Sequence, residues 1–183
     1  MGGLGVFPGT FNPPTVGHLT VADAAVAQFG LDRLDLVLSE VPIDKHDARD
    51  LLPLDDRVAL VRSAVADRPW ARVTTTPHRL IVDIAQGYDV VVMGADKWAQ
   101  VSDPRYYDDD PAARDAAVSA LPRVAVAPRG EWPVPADHRL EVPPWVGEVS
   151  ATAVRSGRHE WHAARPHARQ DAPARRNEAA PEE

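Results

Sequence analysis

The chain of 183 residues contains no cysteine. This absence excludes disulfides, thiolate nucleophiles, and zinc or iron–sulfur sites that need cysteine ligands. Long apolar runs are also lacking, since none approaches the roughly 18 to 20 residues that span a bilayer. The first residues show neither the basic nor the long hydrophobic region of a signal peptide. We therefore expect a cytoplasmic protein with no membrane partner.

Basic residues are in the minority, because 20 Lys and Arg face 27 Asp and Glu, for a formal net charge of −7. A negative field repels polyanions, so we expect no nucleic-acid partner. A small anion can still bind where cations and backbone amides converge in one pocket. Hydrophobic residues make up 44% of the chain, which is typical of a folded globular domain rather than a disordered or fibrous chain.

Strand and helix patterns alternate along most of the chain. Strands are expected at 4–7, 34–41, 73–75, 89–94 and 123–127, and helices at 19–29, 55–65, 80–85 and 113–120. This alternation predicts an α/β fold, with an open, mostly parallel, Rossmann-like sheet covered by helices on both faces. Ligands of such sheets bind beyond the carboxyl ends of the strands.

The length predicts one domain, which we place at residues 1–157. Residues 158–183 mix His, Arg, Ala, Pro and Glu without a sustained apolar period. We therefore expect a C-terminal tail that is largely disordered, from about Pro166 onward.

The loop between the first strand and the first helix, residues 9–18 (GTFNPPTVGH), carries the strongest sign of chemistry. Gly9 and Gly17 allow the backbone to approach a ligand closely. Exposed amides and the positive end of the following helix favour an anion. Thr15 and His18, three residues apart, share a face of the first helical turn. Each feature alone is common in loops, but their joint spacing predicts a phosphate site.

The same loop matches the pattern G-[ST]-F-[DN]-P-x-[HT]-x-G-H and resembles the nucleotidyltransferases with the HxGH or TxGH motif. Residues 149–155 (VSATAVR) are similar to the family's I-S-[SA]-T-x-[IL]-R segment. There Ser150 can cap a short helix, and Thr152 and Arg155 offer a hydroxyl and a guanidinium to phosphate oxygens. The resemblance covers about residues 4–157 and implies the nucleotidylyltransferase fold.

Three shorter matches lie between these motifs. Residues 41–45 (VPIDK) are similar to the family's loop with a phosphate-binding lysine, although a solvated loop lysine explains Lys45 equally well. Residues 93–98 (MGADKW) resemble the G-A-D-x-[LW] segment of nicotinate- and nicotinamide-nucleotide adenylyltransferases, and residues 126–130 (VAPRG) resemble their V-x-x-R-x-G strand end. Asp96 and Arg129 follow strands on the ligand side of the sheet.

The resemblance implies an adenylyltransferase in which a phosphate of the acceptor attacks the α-phosphorus of ATP directly and pyrophosphate leaves. It implies His18, Lys45 and Arg155 as catalytic residues that position and stabilise charge. The implied ATP-binding residues are Gly9, Thr10, Phe11, Thr15, Gly17, His18, Ser150, Thr152 and Arg155; the implied acceptor-binding residues are Asp96, Trp98 and Arg129. Trp98 could stack on a pyridine ring, although a tryptophan buried in the core is the commoner case. ATP is the implied cosubstrate, with Mg²⁺ bound mainly through its phosphates and no metal site built by the protein.

The expected acceptor is nicotinate or nicotinamide mononucleotide, which places the chain in NAD biosynthesis. Three departures keep alternatives open: Thr15 stands where bacterial nicotinate-nucleotide enzymes usually have His, Asn12 replaces the commoner Asp, and 76–80 (TPHRL) replace an expected S-Y-T-x-x-T segment. Thr15 is typical of pantetheine-phosphate adenylyltransferases, which are the first alternative. A nucleotide-binding module without turnover is the second. Small-molecule nucleotides are the expected partners, and association into a homo-oligomer stays open.

Overall fold

A five-stranded parallel sheet organises the described part of the molecule. The structure is a computed structural model that describes residues 2–40 and 51–164. The strands are β1 Gly3–Gly9, β2 Leu31–Ser39, β3 Ala71–Thr76, β4 Val90–Gly94 and β5 Arg123–Ala127. Their spatial order is β3-β2-β1-β4-β5, and every neighbouring pair is parallel. The predicted open, parallel α/β sheet is confirmed.

The connections between strands are helical. The α-helices are α1 Val16–Phe29, α2 Leu54–Ala64, α3 Ile81–Ile84, α4 Ala95–Val101, α5 Pro111–Ser119 and α6 Ala151–Arg155. Short 3₁₀ turns lie at Pro104–Tyr107, Ala136–His138, Pro144–Glu148 and His159–Trp161. Asp110 caps α5 and Pro111 begins it, two residues before the predicted start at residue 113. Helix α4, directly after β4, has no counterpart in the sequence prediction.

Both faces of the sheet are covered, as β4 shows most clearly. Side chains alternate between the two faces along a strand. Val90 and Val92 belong to the core cluster that includes residues of α1 and α2. Val91 and Met93 belong to the cluster on the other face, with residues of α3 and α4. Burial on both faces explains why this strand is a continuous apolar run.

The strand order reverses between β1 and β4. From β1 the chain proceeds to β2 and β3 on one side, whereas from β4 it proceeds to β5 on the other. The loops that follow β1 and β4 therefore diverge and leave a crevice at the carboxyl edge of the sheet. This is the place where a ligand is expected.

The chain beyond α6 returns to the loop that precedes α1. The Ala163 N–H donates to the Pro14 carbonyl at 3.1 Å, and Ala163 is buried. The folded unit therefore continues past residue 157 to at least residue 164, while the disorder predicted from Pro166 lies outside the described residues. None of the helices in the described part of the chain is long and apolar enough to cross a membrane.

Candidate functional site

A cleft of about 270 Å³ opens at this carboxyl edge, between the loops that follow β1, β4 and β5 and the start of α6. The predicted residues that line it are Gly9, Thr10, Phe11, Thr15, Gly17, His18, Asp96, Arg129, Ser150, Thr152 and Arg155. The fold thus brings together every residue predicted for ATP and two of the three predicted for the acceptor. Lys45 lies outside the described residues.

Trp98 is the predicted acceptor residue that does not line the cleft. Its ring packs against the second core cluster, which is the cluster on the face of the sheet covered by α3 and α4. The ring also meets the His138 ring edge-on, with centroids 5.0 Å apart. Lys97 and Gln100 line the cleft instead. The Lys97 ammonium donates to the Gln100 side-chain oxygen at 2.5 Å. Sequence reasoning missed both of these polar side chains.

The two glycines of the loop have structural causes. A Cβ on Gly9 would lie 2.8 Å from the ring of Phe11, which is buried and folds back over it. Phe11 itself has a φ of 47°, an uncommon conformation for a bulky residue, which this packing holds in place. A Cβ on Gly17 would lie 3.1 Å from the Cβ of Val149. Gly17 therefore lets the segment before α6 approach the start of α1.

Thr15 and His18 form a capping box at the start of α1. The His18 N–H donates to the Thr15 hydroxyl at 3.3 Å, and the Thr15 N–H donates to His18 Nδ1 at 3.0 Å. Because a backbone N–H can only donate, Nδ1 must accept and carries no proton. The Thr15 hydroxyl, 2.9 Å from Nδ1, donates to the same nitrogen. The imidazole is therefore neutral, with its proton on Nε2.

The surroundings of His18 favour the same neutral form. Burial lowers the pKa of His18 from 6.5 to about 4, with the Arg129 guanidinium acting in the same direction and the Asp96 carboxylate opposing it. A neutral imidazole at physiological pH can donate one hydrogen bond through Nε2 and cannot act as a cation. His18 is thus built as a fixed donor at the edge of the cleft.

The lowered pKa predicts a pH-dependent stability. Since the folded chain holds His18 neutral down to about pH 4 and the unfolded chain protonates it near 6.5, the stabilising contribution is present above pH 6.5 and is lost as the pH falls towards 4. We expect the free energy of unfolding to fall more steeply over this range in the unmodified chain than in His18→Asn. Urea denaturation at several pH values measures the slope. An exposed-site variant, His78→Asn, is the control, and equal slopes in all three chains would contradict the assignment.

Arg155 joins the second motif to the first. Ser150 caps α6 by accepting the Ala153 N–H at 3.0 Å. One turn later, the Arg155 guanidinium donates to the Asn12 carbonyl at 2.6 Å and to the Thr152 hydroxyl at 3.3 Å. Two segments that are 143 residues apart in the sequence thus meet at one cleft.

The net charge of the side chains that line the cleft is positive, whereas the net charge of the whole chain is negative. Its described lining holds three cationic side chains, Lys97, Arg129 and Arg155, and one carboxylate, Asp96. Asp96 is paired with Arg129 at 3.5 Å. This excess of positive charge in a chain of net charge −7 favours a small anion.

A buried arginine holds the loop after β1 in place through hydrogen bonds to backbone carbonyls. Arg57 of α2 is 2% exposed and donates to the carbonyls of Thr10 at 3.0 Å, Leu52 at 3.1 Å and Ser39 at 3.5 Å. Burial lowers the pKa of the guanidinium, but arginine stays charged in proteins. The burial of Arg57 could be inferred from its position in the sequence. Arg57, Val61 and Ala64 lie on one face of the helix, and all three are buried.

The described residues contain no group of three or more His, Asp or Glu side chains that could hold a metal ion. The one carboxylate in the described lining of the cleft is Asp96, which is paired with Arg129.

Comparisons with known proteins agree with this geometry. A family model described as cytidylyltransferase-like matches residues 6–156. Similar curated proteins include probable nicotinate-nucleotide adenylyltransferases from three bacteria. The protein of Dehalococcoides mccartyi is 36% identical over 69 residues, which are 38% of this chain and 33% of that protein. The protein of Lactiplantibacillus plantarum is 35% identical over 72 residues (39% and 34%), and that of Syntrophotalea carbinolica 37% over 76 (42% and 34%). The matched segments span about a third of the length of these relatives.

Proposed function

The chain belongs to the cytidylyltransferase-like family, and we propose that it transfers AMP from ATP to nicotinate or nicotinamide mononucleotide and releases pyrophosphate. The observation that carries the proposal is the contact of Arg155 with the Asn12 carbonyl, at the cleft that His18 also lines. The names of the similar proteins support a pyridine mononucleotide as acceptor.

In this reaction, a phosphate oxygen of the acceptor forms a bond to the α-phosphorus of ATP while the bond to the β-phosphate oxygen breaks. The residues of the cleft have no nucleophilic part in it. The neutral imidazole of His18 donates a hydrogen bond from Nε2 to a phosphate oxygen on which negative charge grows. Arg155 supplies a fixed positive charge to the same group. Catalysis therefore consists of positioning and charge stabilisation.

The first helical turn of α1 and the loop before it supply the remaining contacts. Backbone amides at the start of a helix bind phosphate, and α1 is long enough, at 14 residues, to have an appreciable dipole. Mg²⁺, when bound through the ATP phosphates, neutralises charge on the triphosphate. Asp96, Lys97 and Arg129 also line the cleft, and we place the acceptor beside them.

An acceptor panel tests the proposal. We incubate the chain with Mg²⁺ and ATP, or CTP, plus nicotinate mononucleotide, nicotinamide mononucleotide or 4′-phosphopantetheine, and measure pyrophosphate and adenylated product. We expect pyrophosphate with ATP and a pyridine mononucleotide, and the His18→Ala chain is the blank for contaminating activity. Release with phosphopantetheine alone would instead support the alternative that Thr15 suggests. ATP binding without release from any acceptor would support a binding module.

A further inference from the structure

The residues after α6 contact the loop that carries Thr15. Residues 158–164, here called the return segment, form a 3₁₀ turn at His159–Trp161 and then lie along residues 14 and 15. The Ala163 N–H donates to the Pro14 carbonyl at 3.1 Å, and His162 pairs with Thr15 in an antiparallel bridge. Ala163 is 6% exposed and belongs to the core cluster. This contact is thus a packed part of the fold.

From the return segment to the imidazole there is a short path of hydrogen bonds. Pro14 and Thr15 are fixed by Ala163 and His162. The N–H and the hydroxyl of Thr15 both reach Nδ1 of His18, at 3.0 and 2.9 Å. Whatever fixes the Thr15 backbone therefore fixes which nitrogen of His18 accepts a hydrogen bond and which carries the proton.

We propose that the return segment is a positioning element for His18: by holding Pro14 and Thr15 it keeps Nδ1 as an acceptor and the proton on Nε2, where the donor is needed. The catalytic consequence rests on the proposed function. The tautomer is a property of the folded chain and is measured without substrate, so the two can fail separately.

Other groups around His18 do not belong to the return segment. Its ring meets those of Phe7 and Phe11, with centroids 6.2 and 5.1 Å apart. Arg129 and Asp96 act on its charge from the ends of neighbouring strands, and Arg155 lines the same cleft. All five side chains remain when the return segment is removed, so a change in the ring can be assigned to the lost contacts at Pro14 and Thr15.

A matched pair of truncations tests the proposal. One chain ends after Ala164 and keeps the return segment, and the other ends after Gly157 and lacks it, while both keep α6 and Arg155. Nitrogen-15 NMR of the imidazole gives the tautomer and the pKa of His18. We expect the chain ending at Ala164 to keep the Nε2–H tautomer and a pKa of about 4. In the chain ending at Gly157 both tautomers should appear, because the Thr15 N–H that reaches Nδ1 at 3.0 Å is no longer held in place.

Turnover gives the second readout. A small displacement of a catalytic group can cost on the order of 10²-fold in rate, so kcat should fall by about that factor in the chain ending at Gly157 with a smaller change in KM for ATP. A full-length Ala163→Pro variant keeps a small apolar side chain at the buried position but lacks the N–H that reaches Pro14. Its tautomer populations and its kcat should change in the same direction as those of the chain ending at Gly157.

Three results would overturn the proposal. A folded chain ending at Gly157 that retains the Nε2–H tautomer alone would show that the return segment has no part in holding the imidazole. A chain ending at Ala164 that behaves like the shorter chain would place the effect in residues 165–183. Loss of folded structure in both the Gly157 truncation and Ala163→Pro would show a role in the fold alone. An altered tautomer in a chain that turns over no acceptor at full length would sustain the inference and defeat the proposed function.

Discussion

Replacing His18 with alanine should lower kcat on the order of 10²–10³-fold, the cost of removing one preorganised donor to a developing negative charge. KM for ATP should change little, because the donor acts on charge that grows in the transition state. Steady-state kinetics at saturating acceptor measure both constants. A raised KM with an unaltered kcat would mean that His18 binds the ground state equally well, and would contradict the role assigned to it.

Two conservative variants distinguish the role of Nδ1 from that of Nε2. His18→Asn retains an oxygen near the position of Nδ1, so it can still accept the Thr15 N–H that lies 3.0 Å from that nitrogen. It lacks a donor at the position of Nε2 and should be as slow as the alanine variant. His18→Gln places an N–H₂ group nearer to Nε2 and should recover part of the rate. Equal rates for the two variants would argue against donation from Nε2.

His78→Ala is the matched control for these substitutions. His78 follows β3 and is exposed, and it does not line the cleft. Its loss should leave kcat within about twofold, in line with the small effect of most surface changes.

The sequence was sufficient to predict the sheet and the convergence of the two motifs. Strand and helix periods are local, and the carboxyl ends of parallel strands share one edge of the sheet, so Asp96 and Arg129 could be placed there before any coordinates. The approach of Val149 to Gly17 was not predictable, because a glycine at a helix start has several explanations. Only the tertiary structure shows that a Cβ there would lie 3.1 Å from another side chain.

The acceptor side was predicted less well because helix α4 was not recognised. Trp98 and Val101 lie three residues apart on the helical face that meets the second core cluster. Lys97 and Gln100 lie three apart on the face towards the cleft. Reading 95–101 as a helix would have assigned the tryptophan to the core and the lysine to the site. Seven residues directly after a strand, without a capping side chain, give little local signal for this.

The return segment and Arg57 show a different limit. Ala163 is small and sits in no apolar period, so nothing local marks it as buried. Arg57 does stand on the apolar face of α2, but its partners are backbone carbonyls, which carry no sequence signal. Contacts with the backbone of distant segments are therefore the part of this site that could be known only from the tertiary structure.

Replacing Arg57 with methionine should lower the free energy of unfolding by about 3 kcal/mol, because three partly buried carbonyls lose the same charged donor at once. Methionine fills much of the space of the arginine stem, so the loss reports the hydrogen bonds more than a cavity. Arg57→Lys keeps the charge but lacks the planar guanidinium. Its free energy of unfolding should therefore lie between those of the unmodified chain and Arg57→Met. Urea denaturation gives the free energies.

Arg62→Met on the same helix is the control, since Arg62 is exposed and its substitution should change stability by no more than about 0.5 kcal/mol.

The substitution of Arg57 should also affect the cleft. Thr10 follows Gly9 in the loop that lines it, and its carbonyl accepts one of the three bonds, so Arg57→Met should weaken ATP binding even at temperatures where the chain is folded. Destabilisation equal to that of Arg62→Met would mean that water or a shifted side chain satisfies the three carbonyls. Destabilisation with unchanged ATP affinity would mean that Arg57 secures the ends of β2 and α2 without setting the shape of the loop.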